Sequence, residues 1–478
     1  MYLYVSKIIK EMTVNTIIPK RRFNVSQYFV LTNILLTLQF GLLIFSLLWP
    51  LSIYFFAFLK ISIVMGCLVL LTQINKPIKS VLNETLVVLP GIWGVMIGVI
   101  SNNPGVNAEM AFYVIAPLSY LIAFRFVSVS FLSLVSPIIK LFCMLNIAVF
   151  FFLFFSEGGL LYDFLQRRTD FVIQYLPGYN KVFTLQATQL IFLLPVSLMY
   201  FYFKKNVLNF ILLAACLLMA LLIGRKAILI LFCLFFLMLV LYSIYQKSNS
   251  KHVMLLFFPV IISIVAFFNL SDYDNKKYVD AIFNSFPSFE SSEPVRNIQI
   301  QMLTKKIESL EPSWQDLYDS KDNLCSLVNI KSESKVHDKL GAEVRNTQIQ
   351  MLTKSIYKSP WLGNGIGSVI PSCIRSAQQP WRFEMTYLTI AKDIGLLGLF
   401  LLSIAYLKWM LGVVFSCLDK SVSFPLLAGS LFFMICSVTN PYIMSVENIF
   451  VYFIPYMLVQ VERSKLKHAD RSVVVNRR

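Results

Sequence analysis

The sequence predicts an all-α polytopic membrane protein with about twelve transmembrane helices and one large hydrophilic loop between the ninth and tenth. Three observations carry that expectation. Of 478 residues, 57% are hydrophobic and 14% charged, where a soluble chain carries about 25% charged residues. Apolar runs of roughly 20 residues recur along the chain, each long enough to cross about 30 Å of hydrocarbon. Lys and Arg collect in alternate short connections, the pattern that orients spans in a membrane. Runs of this length cross as helices, because a lone strand in lipid leaves its backbone unpaired.

The first 27 residues are polar and basic, with Lys7, Lys10, Lys20, Arg21 and Arg22, and have no apolar core of a cleaved signal. The first span is therefore expected to be an uncleaved anchor. Spans are expected at 28–48, 51–73, 84–101, 110–126, 136–155, 183–203, 207–223, 227–245, 253–268, 386–411, 422–439 and 442–460. Nine spans (28–268) precede the loop 269–385, three (386–460) follow it, and a basic tail (461–478) closes the chain.

One set of connections holds Lys76, Lys79, Arg125, Lys204, Lys205, Lys247, Lys251 and Lys420. The alternate short connections, around Pro50, 102–109 and Asn440, hold neither Lys nor Arg. Both termini are therefore expected in the cytoplasm. The segment 156–182, the turn Gly224-Arg225-Lys226 and the loop 269–385 then lie outside it. The formal charge of +17 would suggest nucleic acid in a soluble chain. Here the large hydrophilic segment 269–383 has 14 basic and 13 acidic residues, so no nucleic-acid partner is expected. Lys60, Lys140 and Glu447 fall inside expected spans, where their cost argues for an inward-facing position or for shifted span boundaries.

Six of the eight cysteines fall in or beside spans and read as small apolar packers. Cys325 and Cys373 lie in the loop, where an oxidising compartment permits either a disulfide or two thiols. The three scattered histidines and the cysteine spacing suggest no metal site.

The loop contains a duplication. The thirteen residues from Val295 to Ile307 recur 49 positions later, from Val344 to Ile356, with eleven identities. Only Ile298/Thr347 and Lys306/Ser355 differ. The apolar positions of the first copy fit one face of a helix. Only the second copy runs on into Gly363-Asn364-Gly365-Ile366-Gly367-Ser368.

Three features have the residue types for chemistry, each with a plainer alternative. Alternating glycines at 363–368 can turn backbone N–H groups toward a phosphate, or simply return the chain to the membrane. Arg225, at a turn between spans, can clamp a phosphate or reach for lipid headgroups. Glu384 opens the tenth span as Glu384-Met385-Thr386-Tyr387-Leu388, either as a general base or as an ordinary charge at a helix start. Lys392 and Asp393, one to two turns later, are candidates for a mutual ion pair.

Together these features resemble the O-antigen polymerase and O-antigen ligase superfamily, membrane glycosyltransferases of the GT-C type. Ile223-Gly224-Arg225-Lys226-Ala227 resembles that family's Gly/Ser-Arg turn before an aliphatic span. The late, large outer loop matches in position. The stretch from Arg345 through Pro360-Trp361-Leu362-Gly363-Asn364-Gly365-Ile366-Gly367 resembles Arg…Pro-Leu-Gly-x-Gly-x-Gly. Glu384 to Leu388, followed by Gly395-Leu396-Leu397-Gly398, resembles the ligases' His-Asn-x-Tyr-Leu…Gly-x-x-Gly, with Glu384 in place of the histidine and Met385 in place of the asparagine. The likeness covers about residues 200–410, and its departure at Glu384 is closer to the polymerases.

The resemblance implies polymerisation of undecaprenyl-pyrophosphate-linked oligosaccharide repeat units at the periplasmic face of a bacterial inner membrane. The partners implied are the polyprenyl-pyrophosphate-linked oligosaccharide, membrane lipid and a chain-length regulator. It implies no metal and no cofactor. Arg225 and Arg345 would neutralise the departing pyrophosphate, and Glu384 would act as base or orient the acceptor. Arg167 and Arg168, Gly363, Gly365 and Gly367, and Tyr387 are candidates for substrate binding. Two alternatives remain: a ligase that transfers finished glycan to lipid A core or protein, and a transporter of lipid-linked glycans.

Overall fold

The computed structural model describes residues 86–125, 127, 129–155, 159–160, 171–176, 179–184, 188–223, 226–246, 250–270, 337–374, 379–438 and 448–476, together with Leu35, Leu36 and Leu38. In chain order the helices are α1 (Leu89–Ile100), α2 (Val106–Met110), α3 (Ala116–Phe124), α4 (Val129–Phe155), α5 (Thr188–Phe203), α6 (Val207–Ile223), α7 (Lys226–Tyr245) and α8 (Ser250–Leu270). After the loop come α9 (His337–Lys358), α10 (Thr386–Val414), α11 (Lys420–Cys436) and α12 (Ile454–Asn476). A π-turn, Ala111–Ile115, joins α2 to α3 in one run of helix.

Among the described residues, four helical runs are long and apolar enough to cross a membrane: Val106–Phe124, Leu134–Phe155, Ile228–Tyr245 and Thr386–Val414. Shorter apolar helices accompany them, including Leu89–Ile100 and Val207–Ile223. The expected spans 28–48 and 51–73 lie outside the described residues, apart from the three leucines. The protein is thus helical and built around membrane-length apolar segments.

Among the described residues the expected all-α character has one exception. Phe171–Leu176 (β1) and Tyr179–Thr184 (β2) pair antiparallel, with Phe171 opposite Thr184 and Leu176 opposite Tyr179. Aromatic and β-branched residues dominate both strands, and two residues, Pro177-Gly178, separate them, a hairpin length. The hairpin claims Thr184, so the expected span 183–203 gives way to a helix that begins at Thr188.

The C-terminal element also differs from expectation. A 3-10 turn at Ile449–Phe453 leads into α12, which continues to Asn476 through the segment expected as a tail. Polar anchors explain part of the extension. Glu462 Oε1 accepts the Cys417 N–H at 2.9 Å, and Lys465 Nζ donates to the Cys417 carbonyl at 2.8 Å.

α5 packs closely on α11, and α6 on α8. α10 is the central element for the site, because α1, α9 and α12 all pack against it. It is not a continuous rod. Gly395 sits inside it at φ 76°, ψ 170°, and the Leu396 and Leu397 N–H groups donate to Pro360 and Trp361 instead of to helical carbonyls.

At the start of α11, the Asp419 carboxylate accepts the Ser421 N–H at 2.9 Å. That bond, with Ser421's side chain next and nearby Lys204 last, holds the Asp419 carboxyl below the usual carboxylate range. Its stabilisation is therefore complete above that range and fades as pH falls through the lowered value. Asp419→Ala should cost about 1 kcal/mol at neutral pH. Thermal unfolding at pH 7 and in acid checks this: the difference between variant and parent should shrink as pH falls.

Candidate functional site

The second copy of the duplicated segment forms the C-terminal part of α9. Its residues at helical spacing meet the approach to α10. Arg345 Nε lies 3.1 Å from Glu384 Oε2. One turn along, Gln348 Oε1 accepts the Glu384 N–H at 3.0 Å. Beneath them Met351 and Leu352 are buried with Cys373, Phe383 and Met385. Apolar burial therefore seats α9, and two polar side chains from it fix Glu384.

Cys373 is disulfide-bonded; Cys325, the partner considered for it, lies outside the described residues. Arg345 is 46% exposed and Glu384 18%. An ion pair that open contributes about 0–1 kcal/mol to stability. Its value is in presenting a cation and a carboxylate together at the start of a membrane-length helix.

The glycine segment has a different job from the phosphate nest its spacing suggests. Gly363, Gly365 and Gly367 all have positive φ. The N–H groups of Gly363, Asn364 and Ile366 are committed to the carbonyls of Ser359, Lys392 and Gly94. The segment is a wedge that α1 and the Gly395 kink grip from either side. At Gly365 the approach is close enough to exclude any side chain: a Cβ would sit 2.6 Å from Gly98 Cα. Asn103 ties the connection after α1 to the same segment, with its Nδ2 donating to the Asn364 and Ile366 carbonyls at 3.1 and 3.2 Å. The 102–109 connection and the end of the large loop therefore share one side of the helical layer.

Behind the wedge is a buried polar network. Lys392 and Asp393 form the ion pair considered from sequence, Nζ to Oδ1 at 2.9 Å, with side chains 0% and 2% exposed. Lys392 also donates to the Ser368 carbonyl and lies over the Phe383 ring at 5.2 Å. The Tyr113 hydroxyl donates to Asp393 Oδ2 at 3.0 Å. The network joins the π-turn, the glycine wedge and α10. Lys140, one of the three inward candidates, lies over the Tyr200 ring at 4.8 Å. Lys60 and Glu447 lie outside the described residues.

Beside the network is a cavity of about 330 Å³, whose walls include Tyr113, Tyr387, Tyr406, Tyr452, Ile394 and Phe453. Each tyrosine hydroxyl already has a partner. Tyr387 donates to the Met434 carbonyl at 2.7 Å, Tyr406 meets Ser430 Oγ at 2.9 Å, and Tyr452 donates to the Leu402 carbonyl. With the hydroxyls occupied, the walls offer ring faces and aliphatic carbon, a surface suited to hydrocarbon.

A third ion pair was not legible in the sequence. Glu109, 1% exposed, accepts Arg382 Nε at 2.7 Å and Trp381 Nε1 at 2.8 Å, both on Oε1. Its Oε2 is buried and has no hydrogen-bond partner among the described residues. The available signal was a lone acidic residue at the border of an apolar run, in a connection otherwise without charge.

The structure thus pairs Arg345 with Glu384 just before α10, sets Tyr387 in its first turn, and packs the glycine segment at the Gly395 kink farther along the same helix. Arg225, Arg167 and Arg168 lie outside the described residues. No family model, no curated protein and no solved structure matches this chain.

Proposed function

We propose that the chain is a membrane glycosyltransferase that polymerises polyprenyl-pyrophosphate-linked oligosaccharide units into O-antigen, capsule or exopolysaccharide. In this reading it crosses the bacterial inner membrane about twelve times, with both termini in the cytoplasm. The observation that carries the proposal is the Arg345–Glu384 pair, held at the entry to a membrane-length helix. The hydrocarbon-compatible cavity beside that helix supports a lipid-borne substrate.

The reaction needs three things from the protein. The bond between the donor's anomeric carbon and the pyrophosphate oxygen breaks, and the pyrophosphate leaves with the electron pair. An acceptor hydroxyl oxygen bonds to that carbon. The hydroxyl proton needs a base. Arg345 neutralises charge on the leaving pyrophosphate, where a fixed cation is most effective. Glu384 takes the proton or orients the hydroxyl. In the resting pair each group holds the other in position, so Arg345 meets a pyrophosphate through its terminal nitrogens while Glu384 stays beside it to serve the acceptor.

A deletion strain tests the reading. Lipopolysaccharide capped with a single repeat unit is the expected result. Lipopolysaccharide with no unit attached would favour ligation, and absence of lipid-linked units from the periplasmic face would favour transport. Parental chain length in lipopolysaccharide, capsule and exopolysaccharide alike in that strain would remove both the polymerase and ligase readings.

A further inference from the structure

Arg382 presents the same arrangement as Arg345. Each guanidinium is held through Nε by a glutamate, Arg345 by Glu384 and Arg382 by Glu109. Neither forms a hydrogen bond through its terminal nitrogens among the described residues. A guanidinium has five N–H donors in a planar fork. An Nε-side anchor leaves the two terminal NH2 groups as a pre-aimed pair, the edge that matches two oxygens of one phosphoryl group.

The two pairs share one short stretch of chain just before α10. Arg382 and Glu384 are separated by Phe383 alone, so their Cα atoms are at most about 7 Å apart. Phe383 is buried in the apolar cluster under α9. The Arg382 and Glu384 side chains on either side of it remain 27% and 18% exposed. Glu109 adds rigidity: it is almost fully buried, and its Oε1 is pinned by Trp381 as well as by Arg382.

We propose that Arg382, oriented by Glu109, is the second half of an anion clamp, and that Arg345 and Arg382 together take the oxygens of one diphosphate group. The inference rests on the reading of this site as one that handles a pyrophosphate, and it adds a residue to that reading. Arg382 is a binding residue; Glu109 is a positioning residue that acts through it. The clamp also explains why a carboxylate is buried at the edge of a hydrocarbon layer, where its charge is costly.

The test uses the purified full-length protein in lipid nanodiscs, titrated with sodium pyrophosphate by calorimetry at low ionic strength. The parent protein should bind saturably. Arg382→Gln should weaken binding at least about tenfold, the scale of a lost charged hydrogen bond. Arg382→Lys retains the charge and a partner for Glu109 but not the fork, so it should fold normally and still bind about tenfold more weakly. Glu109→Asp keeps the net charge and retracts the anchor by one methylene. It should weaken binding several-fold when measured well below its melting temperature, a change that a purely structural role would not produce.

Parental affinity in Arg382→Lys, or no binding by the parent protein, would overturn the clamp. The two proposals fail separately. Weak binding by Arg382→Lys, alongside full-length glycan in the deletion strain, would keep the clamp and remove the polymerase. Parental binding by Arg382→Lys, alongside single-unit glycan in the deletion strain, would do the reverse.

Discussion

Gly365→Ala should yield a protein that melts far below the parent, with a loss of about 3–5 kcal/mol, the range reserved for disrupted packing or backbone strain. Two costs combine. The residue has φ +83°, a conformation that charges a non-glycine residue about 1–3 kcal/mol. The new methyl would also meet backbone, 2.6 Å from Gly98 Cα and 2.8 Å from the Ile97 carbonyl carbon. A helix backbone cannot step aside as a side chain can. Separation of α1 from the wedge would break the bond from the Ile366 N–H to the Gly94 carbonyl, now 3.0 Å. Gly159→Ala is the control, since Gly159 has φ +113° and a methyl added there would meet nothing within 4 Å. Equal melting of the two variants would mean that only the dihedral matters and that the close approach is wrong.

Arg345→Gln should leave the fold nearly intact and reduce polymerisation by about 10²–10³-fold, the effect of removing one fixed stabiliser of developing charge. The contrast is the informative part. The pair is too exposed to contribute more than about 1 kcal/mol to stability, so lost activity with unchanged melting assigns the residue to chemistry. Glu384→Gln should cost about 10²–10⁴-fold as loss of a general base. The double variant should be little worse than either single one, because the two residues act on one step. Arg296→Gln, at the matching position of the first copy, should polymerise like the parent. If Arg296→Gln is inactive and Arg345→Gln is not, the role belongs to the first copy. Glycan length from isolated membranes reads all four variants.

Sequence periodicity located the helices well where apolar runs end in polar residues. The expected span 207–223 coincides with α6, and α10 begins at Thr386, where a span was expected to start. The second repeat copy is helical, and its spacing of Arg345, Gln348, Leu352 and Ile356 is the spacing of its docking face. Lys392 and Asp393 were legible as a pair because they are adjacent in the chain.

Other features had a local trace whose meaning was not readable from it. Nothing near Glu109 points to Arg382, 273 positions away. The glycine pattern was visible, but what it serves was not: alternating glycines suit an anion nest and a wedge between helices equally, and only the position of α1 distinguishes them. The β1–β2 hairpin lay in a segment judged by its charges, so its strand pattern went unread.

The 273-residue separation between Glu109 and its guanidinium has a consequence for biogenesis. Ribosomes add about 5–20 residues per second, so roughly 15–55 s pass between synthesis of the carboxylate and synthesis of the arginine that neutralises it. Trp93 waits longer still for the Ile394 carbonyl, 301 positions on. During that interval the early spans carry an acid without its counter-charge and an indole without its acceptor. Chains truncated before α10 should therefore be the ones that membrane quality control recognises and removes.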